Sequence, residues 1–111
     1  MPNPPKRCLP CEGFVSALPK DEQMTLLKEL SPGWDIVNAH HLSKTFIFKD
    51  FKAALEFTQQ VGKLAEEEQH HPLIHLSWGK VVIDIWTHRV DGLTENDFIL
   101  ATYCDALLPL K

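Results

Sequence analysis

No apolar run in this 111-residue sequence approaches the ~20 residues needed to cross a bilayer, so no membrane partner is expected. Lys6 and Arg7 are not followed by the apolar stretch of a secretory leader, which makes a cytoplasmic location the expectation. Cysteine is scarce: three residues, an odd number and too few for the disulfide framework of a small secreted domain, point to a reducing compartment. Positive charge is not in excess either. Eleven Lys and Arg against 15 Asp and Glu leave a net charge of −4, without the basic footprint that phosphate-backbone binding requires. No direct nucleic-acid partner is therefore expected. Metal ligands fall short as well. Cys8-x-x-Cys11 stands alone in a proline-rich stretch and Cys104 lies far along the chain, whereas a structural zinc site needs four ligands. No metal is expected.

What is present is enough apolar material, 44% of residues, for a single compact core. A chain this short keeps a large surface for its volume, which favours association with copies of itself. Five of the eight prolines occur at or before Pro19, so residues 1–18 read as an irregular arm and residues 19–111 as the domain.

Within the domain the hydrophobic period alternates between helix and strand. A helix begins at Pro19, with Met24, Leu26, Leu27 and Leu30 as its apolar stripe, and stops at Ser31-Pro32-Gly33. Trp34 to Val37 and Leu42 to Phe48 read as an antiparallel pair. Asp50 caps a long helix, with Phe51, Ala54, Leu55, Thr58, Val61 and Ala65 spaced for one buried face, and Pro72 closes that stretch. Ile74 to Trp78 and Val81 to His88 form a hairpin through Gly79-Lys80, and Thr94-Glu-Asn-Asp97 opens the last helix as a capping box. The order α-β-β-α-β-β-α predicts an α+β domain: a four-stranded antiparallel sheet with its helices packed on one face.

Titratable residues concentrate in one region, Glu66-Glu-Glu-Gln-His70-His71-Pro72, followed by Thr87-His88. Glu66 and His70 are four apart near a helix end, so the spacing predicts a same-face pair in which the carboxylate orients the imidazole. Pro72 pushes His71 out of helical geometry and away from its neighbour. His88 reaches the group from the end of a separate strand. Plainer readings exist for each residue: a Glu–His pair is often only solvated, Asp97 is explained by its helix cap, and Trp78 by hairpin packing. His40, His41 and His75 show no partner pattern and read as surface or half-buried residues.

Taken together, the spacing Glu66-x3-His70-His71-Pro72-x5-Trp78-x9-His88-x8-Asp97 closely resembles the signature of the pterin-4a-carbinolamine dehydratase family. The resemblance extends through Gly33-Trp34, Phe46-Ile-Phe48-Lys49-Asp50-Phe51-Lys52-Ala53 and Gly92-Leu93-Thr94-Glu95-Asn96-Asp97, and covers nearly everything from Pro19 onward. It implies the same fold and self-association as a homodimer or homotetramer. The implied reaction is dehydration of 4a-hydroxytetrahydrobiopterin to quinonoid dihydropterin in tetrahydrobiopterin recycling. By resemblance, the catalytic residues are His70, His71, His88 and Glu66: His70 and His88 are the acid–base pair, Glu66 orients His70, and His71 binds and polarises the pterin and can share the proton transfer. Pro72, Thr87, Arg89 and Val90 fall where the family contacts its substrate, Asp97 is a supporting residue, and Trp34 matches an aromatic near the site with a core role as the alternative.

Histidine suits the chemistry. Loss of water from a carbinolamine needs a proton removed from the neighbouring ring nitrogen and one delivered to the leaving hydroxyl, and imidazole can do either near neutral pH. Neither step calls for a redox cofactor, a covalent intermediate or a metal, so no cofactor is expected. The alternative reading is a non-catalytic protein-binding module of the same fold, a transcriptional dimerisation cofactor or an assembly chaperone, and a protein partner can also accompany catalysis.

Overall fold

The computed structural model describes residues 17–108. Cys8 and Cys11, and nearly all of the expected irregular arm, lie outside these. The order is α1 (Lys20–Glu29), β1 (Asp35–Val37), β2 (His41–Ile47), α2 (Phe51–Glu68), β3 (Leu73–Ser77), β4 (Lys80–Ile85) and α3 (Glu95–Ala106). All neighbouring strands are antiparallel, in the order β1-β2-β4-β3. This is the α+β architecture the patterning predicts.

Strand alternation decides which face of the sheet is covered. Leu42 and Phe46 on β2 are buried, as are Val81, Ile83 and Ile85 at every second position of β4. Register places Phe46 opposite Val81 and Leu42 opposite Ile85, so these residues line one face. Against it pack α2, over β3 and β4, and α3, over β2 and β4. The opposite face carries Ser43, Asp84 and His75 in a row across three strands, joined by Ser43 Oγ donating to Asp84 Oδ1 at 2.6 Å and His75 Nε2 at 3.0 Å from Asp84 Oδ2. His75 thus has a partner that its sequence neighbourhood did not reveal.

Asp50 caps α2 as expected, its carboxylate accepting from the Ala53 N–H at 2.8 Å. The buried face of α2 differs from the expected one. It consists of Ala54, Phe57, Val61, Ala65 and Glu68, while Phe51 and Leu55 are exposed. The apolar stripe was wider than the contact: Phe57, rather than Phe51, meets Phe46 and Phe48, at centroid distances of 4.7 and 5.1 Å. On α1 Met24 is likewise exposed, and the buried residue is the polar Gln23, whose amide donates to the carbonyls of Leu18 and Ala39.

Several boundaries move by one to three residues. The β3–β4 turn is Trp78-Gly79, with Gly79 at φ +68, and Trp78 is solvent-exposed rather than packed. β4 ends at Ile85, so His88 stands on the following loop and not on a strand. Trp34 belongs to the core. Its indole N–H donates to Asp105 Oδ2 at 2.9 Å, and Lys44 Nζ meets Asp105 Oδ1 at 2.6 Å, which ties the C-terminal end of α3 to β2.

Candidate active site

The local chain path at the end of α2 explains where the histidines go. Gln69 adopts a left-handed conformation, φ 55 and ψ 37, and the His70 N–H donates to the Ala65 carbonyl at 3.2 Å, closing the helix as a Schellman motif. That reversal takes His70 off the helix surface. Its ring enters the interior, where Nε2 lies 2.6 Å from Asp97 Oδ1. The expected Glu66–His70 pair is therefore not formed. Glu66 Oε2 instead lies 2.5 Å from His71 Nε2, in an open, solvated position. The i, i+4 rule holds only while the helix continues, and α2 ends at Glu68, two residues short of His70.

Asp97 has two roles. Its Oδ2 accepts from the Thr94 backbone N–H at 2.8 Å, the reach-back half of a capping box, and from Thr87 Oγ1 at 2.9 Å. With His70 it thus receives three donors, and it is fully buried. A fully buried carboxylate is tolerable only with such satisfaction. Because a carboxylate accepts, His70 carries its hydrogen on Nε2, and Nδ1 is the nitrogen left to exchange a proton. The same reasoning puts the hydrogen of His71 on Nε2, facing Glu66. The helix cap of α3 and the anchor of the buried histidine are one group.

Thr87 is nearly fully buried and its hydroxyl also meets Thr94 Oγ1 at 2.7 Å. Its side chain is turned toward Asp97 rather than outward. Thr87 and Gly92 exchange both backbone hydrogen bonds, at 2.8 and 3.4 Å, which pinches off the loop carrying His88, Arg89, Val90 and Asp91. A Cβ at Gly92 would lie 3.0 Å from Ala17 Cβ, so a larger residue there requires Ala17 to shift by a few tenths of an ångström.

A cleft of about 210 Å³ is lined by Gln69, His70, His71, Trp86, Thr87, His88 and Arg89. It gathers five of the residues expected to contact substrate from two segments remote in sequence. Pro72 and Val90 flank those segments without lining the cleft. Glu66 reaches it only through His71 and Asp97 only through His70 and Thr87. Trp34 is remote: its partner Asp105 is eight residues beyond Asp97, about 12 Å along α3 at 1.5 Å per residue.

Two contributors went unnoticed in the sequence, Gln69 and Trp86. The Trp86 ring stacks on His88 with centroids 4.7 Å apart and an interplanar angle of 22°. Period-2 spacing in Trp86-Thr87-His88 was the available signal, since it places the two rings on one side and Thr87 on the other. His40 and His41, expected to lack partners, adjoin Trp86. Among the described residues no group of three or more His, Cys, Asp or Glu is arranged to hold a metal ion, and no helix is long and apolar enough to cross a membrane.

The family model described as pterin 4 alpha carbinolamine dehydratase matches residues 16–107. A protein of Rubrobacter xylanophilus named "Putative pterin-4-alpha-carbinolamine dehydratase" is 47% identical over 102 residues, covering 92% of this chain and 94% of that protein. One of the same name from Rickettsia bellii is 48% identical, covering 92% and 90%. The crystal structure of a transcriptional coactivator/pterin dehydratase from Brucella melitensis superposes with a TM-score of 0.77 at 31% identity, over 83% of this chain and 98% of the other. The chain belongs to the pterin-4a-carbinolamine dehydratase family.

Proposed function

We propose that this chain catalyses the dehydration of 4a-hydroxytetrahydrobiopterin to quinonoid dihydropterin, in tetrahydrobiopterin recycling, by histidine general acid–base catalysis. The observation that carries the reading is the convergence of His70, His71 and His88 on one cleft, with His70 anchored by the buried Asp97. In the reaction a proton leaves the ring nitrogen beside the carbinol carbon, the carbon–oxygen bond breaks, and the hydroxyl departs as water after protonation. A carbon–nitrogen double bond remains. One group must take a proton and another must give one.

His70 and His88 form that pair. His70 is a rigid partner, since its ring plane and hydrogen position are set by Asp97. His88 is exposed on its loop and reaches the cleft from a separate segment of the chain. His71, oriented by Glu66, binds and polarises the pterin. Positioned acid–base groups of this kind contribute roughly 10²–10⁴-fold. Arg89 and the backbone around Thr87 contact the ring edge, with Pro72 and Val90 shaping the approach.

The test is a spectrophotometric assay of carbinolamine dehydration with purified protein and its His70→Ala and His88→Ala variants. Each substitution is expected to lower turnover at least about a hundredfold in a folded protein. Near wild-type rates in both would eliminate the acid–base assignment.

Self-association as a dimer or tetramer accompanies this reading. Exposed Phe51, Leu55 and Ile47 supply apolar surface for it, and light scattering measures the outcome. A protein-binding role alongside catalysis is supported by the coactivator designation of the Brucella melitensis structure. Recovery of a specific partner from the source cell by variants that lack turnover would separate the two roles.

A further inference from the structure

We propose that Trp86 is the positioning residue for His88, held in place by the His40–His41 pair. The kinetic consequence rests on the dehydratase reading above; the geometry does not. His88 belongs to a loop and is exposed, yet an acid–base group must be placed closely, because a misplacement of ~1 Å can cost on the order of 10²-fold in rate. Neighbouring Thr87 is fixed by its bonds to Asp97 and Gly92, but its side chain points inward and does not set the His88 ring. The flat stack on Trp86 does.

The indole is itself wedged. His40 and His41 lie 5.3 and 5.8 Å from it between centroids, at 43° and 56°. They meet each other edge to face and approach Nδ1 to Nδ1 at 3.0 Å, where one ring must donate and the other accept. His40 Nε2 lies 2.8 Å from Asp91 Oδ1, three residues beyond His88 on the same loop. The contacts therefore close a circuit: Trp86 to His88, along the loop to Asp91, across to His40, and back to Trp86. The turn that presents the two histidines has Asn38 and Ala39 in the left-handed region, at φ 53 and 55, and Gln23 holds its Ala39 carbonyl. Three imidazoles thus surround Trp86, with His88 stacked on its ring.

A merely structural Trp86, packing over the open sheet face, would affect folding but not His88 specifically. Four full-length proteins separate the cases: Trp86→Ala, Trp86→Phe, His88→Ala and the Trp86→Ala/His88→Ala double variant. Trp86→Ala is expected to lower kcat about tenfold with KM nearly unchanged, Trp86→Phe to restore most of it, and Trp86→Ala to cost nothing further once His88 is gone. Independently of turnover, the His88 ring C–H resonances should be shifted upfield by the indole in the wild type and return to ordinary positions in Trp86→Ala. Multiplying rate losses in the double variant, or a Trp86→Ala kcat within twofold of wild type, would overturn the proposal. So would a His88 resonance that Trp86→Ala leaves unmoved. If the wild type shows no dehydration at all, the dehydratase reading fails, and the resonance shift alone then decides whether Trp86 sets His88.

Discussion

His70 and Asp97, 27 residues apart in sequence, meet at 2.6 Å in the interior, the first just past the end of α2 and the second capping α3. This contact joins the end of α2 to the start of α3 and sets the orientation of the histidine that faces the cleft. Stability and reactivity therefore share one carboxylate, and substitutions there should move both.

Replacing Asp97 by Asn keeps the shape but turns an amide N–H₂ toward at least one of its three donors. The expected result is a loss of about 1–3 kcal/mol, as for other buried polar groups left badly paired, and a drop in turnover of tenfold or more. Urea denaturation and the dehydration assay, run on the same preparation, measure the two effects. Unchanged stability would mean that Asp97 is not the shared anchor.

His70 and His71 should separate by stability. His70→Ala strips a donor from a fully buried carboxylate and is expected to cost about 1–3 kcal/mol. His71→Ala removes only a solvated pair and should leave the denaturation midpoint nearly unmoved, although turnover falls in both.

Glu66 should act through His71. Glu66→Gln is expected to lower turnover by a few-fold in an otherwise wild-type protein and to have no added effect on His71→Ala, while its effect should persist beside His70→Ala. The opposite pattern, coupling with His70 alone, would restore the pairing that the i, i+4 spacing suggests. Steady-state kinetics on the two double variants decide between them.

At the far end of α3, Lys44→Met breaks a largely buried pair and leaves Asp105 with the Trp34 N–H alone. A loss of about 3 kcal/mol is expected, at the lower end of the ~3–5 kcal/mol typical of stranded buried charges, because both side chains keep slight exposure. Turnover per folded molecule should stay within about twofold, because the pair lies a helix-length from the cleft. A thermal melt and an activity measurement below the melting range test this.

Much of the architecture could be read from local chemistry. Asp50 as a cap and the Thr94 to Asp97 capping box depend on neighbours within a few residues, and both formed where expected. Errors arose where tertiary contacts chose among equivalent local options. Phe51 and Phe57 are both apolar positions on α2, and only the location of Phe46 and Phe48 decided which is buried. Nothing local distinguishes Trp34 as a core residue from Trp34 as a site residue, until Asp105 is brought to its indole N–H.

For the candidate site, residue types and spacing were enough to find the participants: His70, His71, His88, Glu66 and Asp97 are legible in a spaced pattern. They did not determine who pairs with whom. The left-handed Gln69 switches His70 from Glu66 to Asp97, and a pinched loop stacks His88 on Trp86. The reason is physical. Composition and period express preferences that act over one or two turns of chain, whereas the partner of a buried histidine is set by which helix end arrives beside it, and that depends on the packing of the whole core.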